Sequence, residues 1–367
     1  MKFQIEREVL LPALQRIVNI IEKRQNMPIL SNVLMVVTGD QVCLTGTDLE
    51  IQIIAKLAMT GSGNDWATTV PARKFLDICR LLPSGALIKF NHVDDKITVQ
   101  SGRSKFNLSC LPSENYPEFS ESHYENHFSI SAGQLKIALE KIHFCMANGD
   151  VRYYLNGALL QVSNNTLKLV ASDGHRLTIF EDKIDGDSGC DAKIVLPRKG
   201  ILELNRLLDA TQTQLKAEFS SSNIRITLNN YTFSVKLIDA KYPEFGKVFM
   251  QEFKPELRVN RQKLKEVLAR VAILTNEKIK GISIDVDDRN MKISAHNPEN
   301  DEAEEELEID YLGQPVSMGF NAQYFMDAVS NLDSEDAILN FADNSTACFI
   351  DVPGGANYRF VLMPMRL

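Results

Sequence analysis

No stretch of this 367-residue chain approaches the roughly 18–20 consecutive apolar residues needed to cross a bilayer. The opening MKFQIEREV is charged and lacks an apolar signal core, which predicts a protein that stays in the cytoplasm. Cysteine is sparse: six thiols stand at 43, 79, 110, 145, 190 and 348, none in a C-x-x-C pair and none at zinc-ligand spacing. Scattered thiols of this kind suit a reducing compartment. Net positive charge is also missing. Forty Lys and Arg stand against 48 Asp and Glu, a balance of −8 that argues against a simple electropositive DNA binder. Enzyme signatures are lacking too. Gly246-Lys247 is followed by Val248 and has no glycine-rich lead, and Gly61-Ser62-Gly63 lacks a third glycine. His123 and His127 flank Glu125 in a polar stretch with no third ligand nearby, so neither a metal nor another cofactor is expected. Asp173-Gly174-His175-Arg176 joins an acid, a base and a flexible glycine, but no nucleophile lies at a readable spacing. The simpler reading is a turn whose His and Arg are satisfied by backbone groups.

What is present is ordinary globular composition, 44% hydrophobic and 24% charged, in a length suited to two or three domains. The charge is unevenly placed. From Glu299 to Asp310 the run ENDEAEEELEID holds eight acidic residues and no basic one, equal to the whole net charge. Taken alone it reads as a solvated loop. The remainder is neutral and free to carry a basic face.

The chain also repeats itself. Tyr116-Pro117-Glu118-Phe119 recurs as Tyr242-Pro243-Glu244-Phe245, an offset of 126. VPARKFLDICRLL from Val70 matches LPRKGILELNRLL from Leu196 at the same offset of 126, and FNAQYFMDAVSNL from Phe320 follows after a further 124. TGTD ending at Asp48 matches VASD ending at Asp173, with ISAHN ending at Asn297 as a third echo, and FNLSCL, FSVKLI and FVLMPM close the copies. Ordered matches at nearly constant offset predict three homologous domains, 1–125, 126–253 and 254–367. The period is too long for a solenoid unit.

Each copy opens with apolar residues at helical spacing: Leu10, Leu14, Ile17, Val18 and Ile21; Leu135, Ala138, Leu139 and Ile142; Leu264, Val267, Leu268 and Val271. A second helix follows in each. Pro71 and Pro197 are expected in the first turn, and Asn321 is expected to cap the third. The buried stripes would be Phe75, Ile78, Cys79 and Leu82; Ile201, Leu204 and Leu208; Phe325, Ala328, Val329 and Leu332. Alternating stretches at Lys96–Val99, Leu167–Val170 and Ile224–Leu228 read as strands. The expected class is α+β, two helices packed on antiparallel sheet in each domain. Basic residues gather on these helices, at Arg73, Lys74, Arg198 and Lys199 and along 261–280. Repeated over several domains, they make a shared positive surface plausible.

LPALQ from Leu11, LTGTDLE from Leu44, VPARKFLDICR from Val70 and SGRSKFNLS from Ser101 carry a resemblance. So do DVRYYLNG from Asp150, SDGHRL from Ser172, PRKG from Pro197, TNEKIKG with HNPE, and the terminal MPMRL. The chain resembles the bacterial DNA polymerase III beta subunits, the sliding clamps. The resemblance implies a homodimeric, closed six-domain ring whose helices line a hole for duplex DNA. It implies a non-enzymatic processivity factor that tethers the polymerase to its template. The implied partners are encircled double-stranded DNA, the DNA polymerase III core, the clamp loader, and repair and translesion polymerases. Size agrees. A domain of about 122 residues is roughly 35 Å across, and six in a ring leave a hole of about that width, wider than a duplex of roughly 20 Å.

The resemblance also implies three surfaces. Arg24, Arg73, Tyr153, Tyr154, Arg198 and Lys199 would face DNA. A partner-peptide pocket would use Leu155, Ser172, Gly174, His175, Arg176, Leu177, Pro243, Lys247 and Val248. Its other residues would be Ile279, Asn321, Tyr324, Val361, Leu362, Met363, Pro364, Met365 and Arg366. The dimer contact would use Lys74, Lys96, Arg103, Lys105, Phe106 and Leu108 of one copy. Ile273, Leu274, Glu299, Asp301, Glu302, Glu304 and Glu305 of the other would meet them. A non-DNA scaffold, or a hydrolase using Asp173, His175 and Arg176, is the alternative.

Overall fold

The structure is a computed structural model that describes residues 2–22, 27–61, 65–119, 123–246, 256–341 and 347–366. Arg24, Lys247, Val248 and the expected boundary near 253 lie outside the described residues. Six α-helices are present among those residues: α1 Arg7–Ile20, α2 Ala72–Leu81, α3 Ala132–Ile142, α4 Arg198–Leu207, α5 Arg261–Val271 and α6 Ala322–Ser330. Every strand pairing is antiparallel.

The chain gathers into two compact units. The first comprises Met1–Lys136, Ile184–Cys190 and Lys199–Asp239. It holds a four-stranded sheet in the order 2–6, 87–93, 96–101, 104–109. Its eight-stranded sheet runs 66–71, 32–38, 41–47, 51–58, 231–236, 223–228, 214–219, 126–131. The α1 and α2 stripes bury Leu10, Leu14, Ile17, Phe75 and Cys79 to 1% exposure or less. Gly46 lets α1 lie close, since a Cβ there would stand 2.5 Å from Ile17 Cγ2. The second unit comprises Ile137–Lys183, Asp191–Arg198 and Ala240–Leu367. It has its own eight-stranded sheet, ordered 192–197, 157–163, 166–172, 176–183, 358–362, 348–351, 336–341, 257–260. Its four-stranded sheet is ordered 302–308, 290–296, 281–286, 316–321. Leu264, Leu268, Phe325 and Val329 of α5 and α6 are fully buried in it. The central repeat contributes strands to both units.

The strand registers confirm the repeat residue by residue. Asn32 faces Pro71, Gly157 faces Pro197 and Gly281 faces Asn321. On the next ladder Leu34 faces Thr45, Leu159 faces Val170 and Ser283 faces Ser294. One ladder further, Thr47 faces Gln52, Ser172 faces Leu177 and His296 faces Glu302.

Three expectations need correction. Pro71 and Pro197 are not in the first helical turn. They close the edge strands Trp66–Pro71 and Ala192–Pro197, where a missing N–H leaves no ladder bond unmade, and the helices begin one residue later. Ile78 is only partly buried, and Leu76 at 6% exposure takes its place in the stripe. The acidic run is not a loop. Glu302–Glu308 is an edge strand whose alternate glutamates point to solvent, and that inward-outward alternation lets charge sit on a sheet edge.

Candidate functional site

The SDGHR segment is built as a turn between strands Thr166–Ser172 and Arg176–Lys183. Ser172 Oγ donates to the Arg176 carbonyl at 2.8 Å and accepts from Gly174 N at 3.0 Å. Asp173 Oδ1 accepts from the amides of His175 at 2.9 Å and Arg176 at 3.0 Å. Gly174 sits at φ +90°, the left-handed region, and a Cβ there would meet the Arg152 guanidinium at 2.8 Å. The left-handed backbone favours glycine, and a β-carbon would oblige the Arg152 guanidinium to shift. The first repeat builds the same turn: Thr47 Oγ1 bonds the Ile51 carbonyl and Leu49 N, while Asp48 Oδ1 takes the amides of Glu50 and Ile51.

The arginine of this turn is not satisfied by backbone groups, as the sequence suggested. Arg176 is 9% exposed, with Nε on Asp173 Oδ2 at 3.0 Å and Nη1 on Asp327 Oδ2 at 2.6 Å. Its guanidinium lies over the Tyr324 ring, 4.2 Å from the centroid. Asp173 spends its oxygens on two amides and Arg176, and the His175 ring stacks toward Tyr324 instead, 6.5 Å between centroids. No acid–base–nucleophile chain results, which removes the basis of the hydrolase reading. Among the described residues, no group of three or more His, Cys, Asp and Glu side chains is arranged to hold a metal ion, and no helix is long and apolar enough to cross a membrane.

An apolar floor adjoins the turn. Leu177 packs on Ala347, Phe349 and Val361. Val361 and Leu362 belong to a strand paired on both sides and are 1% and 2% exposed. Beyond the strand the tail is pinned rather than frayed: Met363 N donates to the His175 carbonyl and Met365 N to the Gly319 carbonyl, both at 2.9 Å. Met363 remains 46% exposed. Asn321 caps α6 by accepting from Tyr324 N at 3.1 Å, and its Nδ2 donates to the Ile279 carbonyl at 3.0 Å. Leu155 is buried at the edge of a short turn, and Pro243 is exposed.

Sequence reasoning missed Asp327, Arg152 and Phe349. Nothing local marks Asp327, which meets Arg176 across 151 positions. Arg152 stood in the quoted DVRYY motif; its Nη2 reaches the Asp173 carbonyl at 3.2 Å and Asp150 Oδ2 at 2.8 Å. Hydrogen bonds from the Arg152 side chain and amide hold the Asp150 carboxyl down at about 2.

Of the six residues expected to face DNA, the five that are described are differently placed. Tyr153 is 58% exposed, with Tyr154 partly buried beside it. Arg73 is exposed, and its Nη2 donates to the Ile21 carbonyl at 2.9 Å. Arg198 is half-buried and donates to the Met146 carbonyl at 3.0 Å. Lys199 is held by Glu22 at 2.7 Å and by Asp48, so two carboxylates already engage its charge. The expected basic face is therefore partly neutralised within the chain, as again where Arg270 of α5 pairs with Glu305.

Of the residues expected at a dimer contact, Lys74, Lys96, Arg103 and Lys105 are exposed, Ile273 is 76% exposed and Phe106 is 36% exposed. Leu108, at 8%, is turned into its own sheet. Both Ser104–Ser109 and Glu302–Glu308 are sheet edges.

Comparison with known proteins places the sequence and the fold in one family. The DNA polymerase III beta subunit family matches in three parts: N-terminal domain over residues 1–120, central domain over 129–244 and C-terminal domain over 246–366. The beta sliding clamps of Pseudomonas putida and Escherichia coli are 40% and 39% identical, with full coverage of both chains. A crystal structure of the sliding clamp from Pseudomonas aeruginosa superposes with a TM-score of 0.96 at 39% identity, again covering all of both chains. With the family matched from end to end and the threefold repeat verified in the strand registers, the chain belongs to the DNA polymerase III beta subunits, the beta sliding clamps.

Proposed function

We infer that the chain, a processivity factor of DNA polymerase III that closes as a homodimeric ring, works through one strand junction used three times. Within the chain the last strand of each later repeat joins the fourth strand of the repeat before it. Phe233 thus faces Ile53, and Phe360 faces Thr178. The equivalent strands left over are Ser104–Ser109 and Glu302–Glu308, and each lies at the edge of its sheet. That observation carries the reading: a second copy closes the ring by joining these edges in the same register. Phe106 then faces Ala303 of the second copy, and Lys105 faces Glu304. Exposed Ile273 supplies apolar surface beside this line, and Lys74, Lys96 and Arg103 oppose the acidic strand. Retention on DNA is topological, so few phosphate contacts are needed and no base edges are read. Arg73, Tyr153 and Tyr154 are the contacts best supported by their placement.

The three junctions differ in one respect that supports a partner site at the second. Leu177, Val361, Phe349 and Ala347 form an apolar floor at the second junction. Their equivalents at the first are Gln52, Ser234, Arg225 and Asn223, where Arg225 is tied to Glu218 at 3.1 Å and lies over Tyr124. At the closing junction they are Glu302, Asn107, Thr98 and Lys96. Each chain therefore offers one cleft for the leucine and phenylalanine anchors of polymerase, clamp-loader and repair-polymerase peptides, with Met363 as an adaptable wall. The protein acts in the cytoplasm and catalyses no reaction. The test is retention on DNA: the protein should stay on a nicked circular duplex through gel filtration and be lost once the circle is linearised. Equal loss from both would overturn the ring.

A further inference from the structure

The tyrosines of the two YPEF segments bury their rings at equivalent places. Tyr116 is 6% exposed, and its hydroxyl donates to the carbonyls of Thr45 at 3.1 Å and Asn32 at 3.5 Å. Tyr242 is 3% exposed, its hydroxyl beside the Ser172 backbone, just as Tyr116 lies beside that of the equivalent Thr47. It stops short of a full hydrogen bond there. Both rings seal the same face of their repeat. In the third repeat the equivalents of Asn32, Thr45 and Thr47 are Gly281, Ser294 and His296. These three instead line an open groove of about 510 Å³, together with Ser283, Ile279 and Arg366. The chain approaches this face alike in both places: Leu111 bridges to Thr69 in the first repeat, and Met365 bridges to the equivalent Gly319 in the third. In the first repeat it runs on to Tyr116.

We propose that this groove takes a tyrosine-bearing extended segment of a partner protein, which supplies in trans the buried ring that Tyr116 and Tyr242 supply in cis and the hydroxyl contacts that Tyr116 makes. The proposal rests on the reading that the adjoining cleft binds partner peptides, since Ile279 and Arg366 belong to both. The ring fills the groove, and its hydroxyl donates to the carbonyls of Gly281 and Ser294. A phenol suits this lining because it joins an apolar body to one donor. The floor has changed to match a reversible occupant. Leu159 and Val170, fully buried in the second repeat, are replaced by Ser283 and Ser294, whose hydroxyls can be wetted when the groove is empty.

The chain's own segment 111–119, LPSENYPEF, is a ready probe, because its sites in the first two repeats are already filled. Labelled peptide is titrated into the full-length dimer by fluorescence anisotropy, beside a short peptide with leucine and phenylalanine anchors. The tyrosine peptide should bind, roughly fivefold more weakly with Phe in place of Tyr116 and roughly thirtyfold or more with Ala. Ser283→Phe, which fills the groove, should abolish its binding and leave the leucine–phenylalanine peptide unaffected. On the unaltered protein, the amide signals of Gly281, Ser294 and His296 should shift with the tyrosine peptide alone. Failure of the tyrosine peptide to bind, equal binding of its Ala form, or shifts elsewhere would overturn the groove. Failure of only the leucine–phenylalanine peptide would overturn the cleft reading and leave the groove standing.

Discussion

Leu49 and Gly174 occupy the same corner of the same turn, at φ +78° and +90°. A β-carbon in that region costs about 1–2 kcal/mol, and the first repeat tolerates it because Thr47 and Asp48 fix the turn with four hydrogen bonds. Leu49→Gly should therefore stabilise the protein, by about 0.5–1 kcal/mol after glycine's greater unfolded-state entropy is counted, measured as a shift in denaturant midpoint. An unchanged or lower midpoint would show the corner is unstrained. A second residue-scale expectation concerns Asp150. Hydrogen bonds from Arg152 hold it at about 2, below the ordinary carboxylate value near 3.9. A depressed folded pKa stabilises above the unfolded value and loses that contribution as pH falls. The Asp150–Arg152 link should thus persist at pH 4 and open as pH approaches about 2, followed by the carboxyl carbon shift in an NMR titration. A midpoint near 4 would contradict the link. The turn itself was legible, because Ser, Asp and Gly in that order have few other uses. The partner of Arg176 was not: Asp327 meets it only through tertiary packing.

At the scale of elements, periodicity found all six helices and most of their buried stripes. It misjudged the prolines because a strand edge and a helix start are adjacent here, and the missing N–H suits both. It left the acidic run as a loop because edge strands can carry alternating charge, a pattern that local composition does not distinguish from solvated coil. The C-terminal tail is the element where local and tertiary evidence diverge most. Terminal position alone favours fraying, yet Met363 and Met365 are each fixed by a backbone hydrogen bond to a different segment. Those two bonds make the tail a preformed wall. Deleting residues 363–367 should leave the strand Tyr358–Leu362 and the dimer intact while weakening leucine–phenylalanine peptides roughly a hundredfold or more. Anisotropy of the labelled peptide, with sedimentation to verify the dimer, checks this. Retained affinity in a dimeric truncation would move the cleft elsewhere.

At the scale of the whole molecule, one junction type serves two internal contacts and, in the proposed ring, the contact between copies in the same register. Its internal versions are covalently tethered, so their strands need no affinity of their own. The closing version must find its partner from solution, and the division of labour between charge and apolar surface follows. An exposed ion pair such as Lys105 with Glu304 contributes about 0–1 kcal/mol, chiefly steering approach and excluding a reversed docking. Burying two aliphatic side chains contributes about 1.5–3 kcal/mol each. Because the closed ring holds two such contacts, Ile273→Ala with Leu274→Ala should weaken dimerisation by roughly four orders of magnitude or more, whereas Glu304→Gln should change it less than about thirtyfold. The register adds a sharper test. Lys105→Glu should weaken the dimer through like charges facing each other, and Glu304→Lys in the same chain should restore it, because the two positions meet only across copies. A one-residue slip would turn Glu304 to the opposite face and abolish the rescue. Sedimentation equilibrium of the four proteins at low salt decides between them. A tight dimer in the apolar double variant, or no rescue by the charge swap, would mean that the copies do not join along these edges in this register.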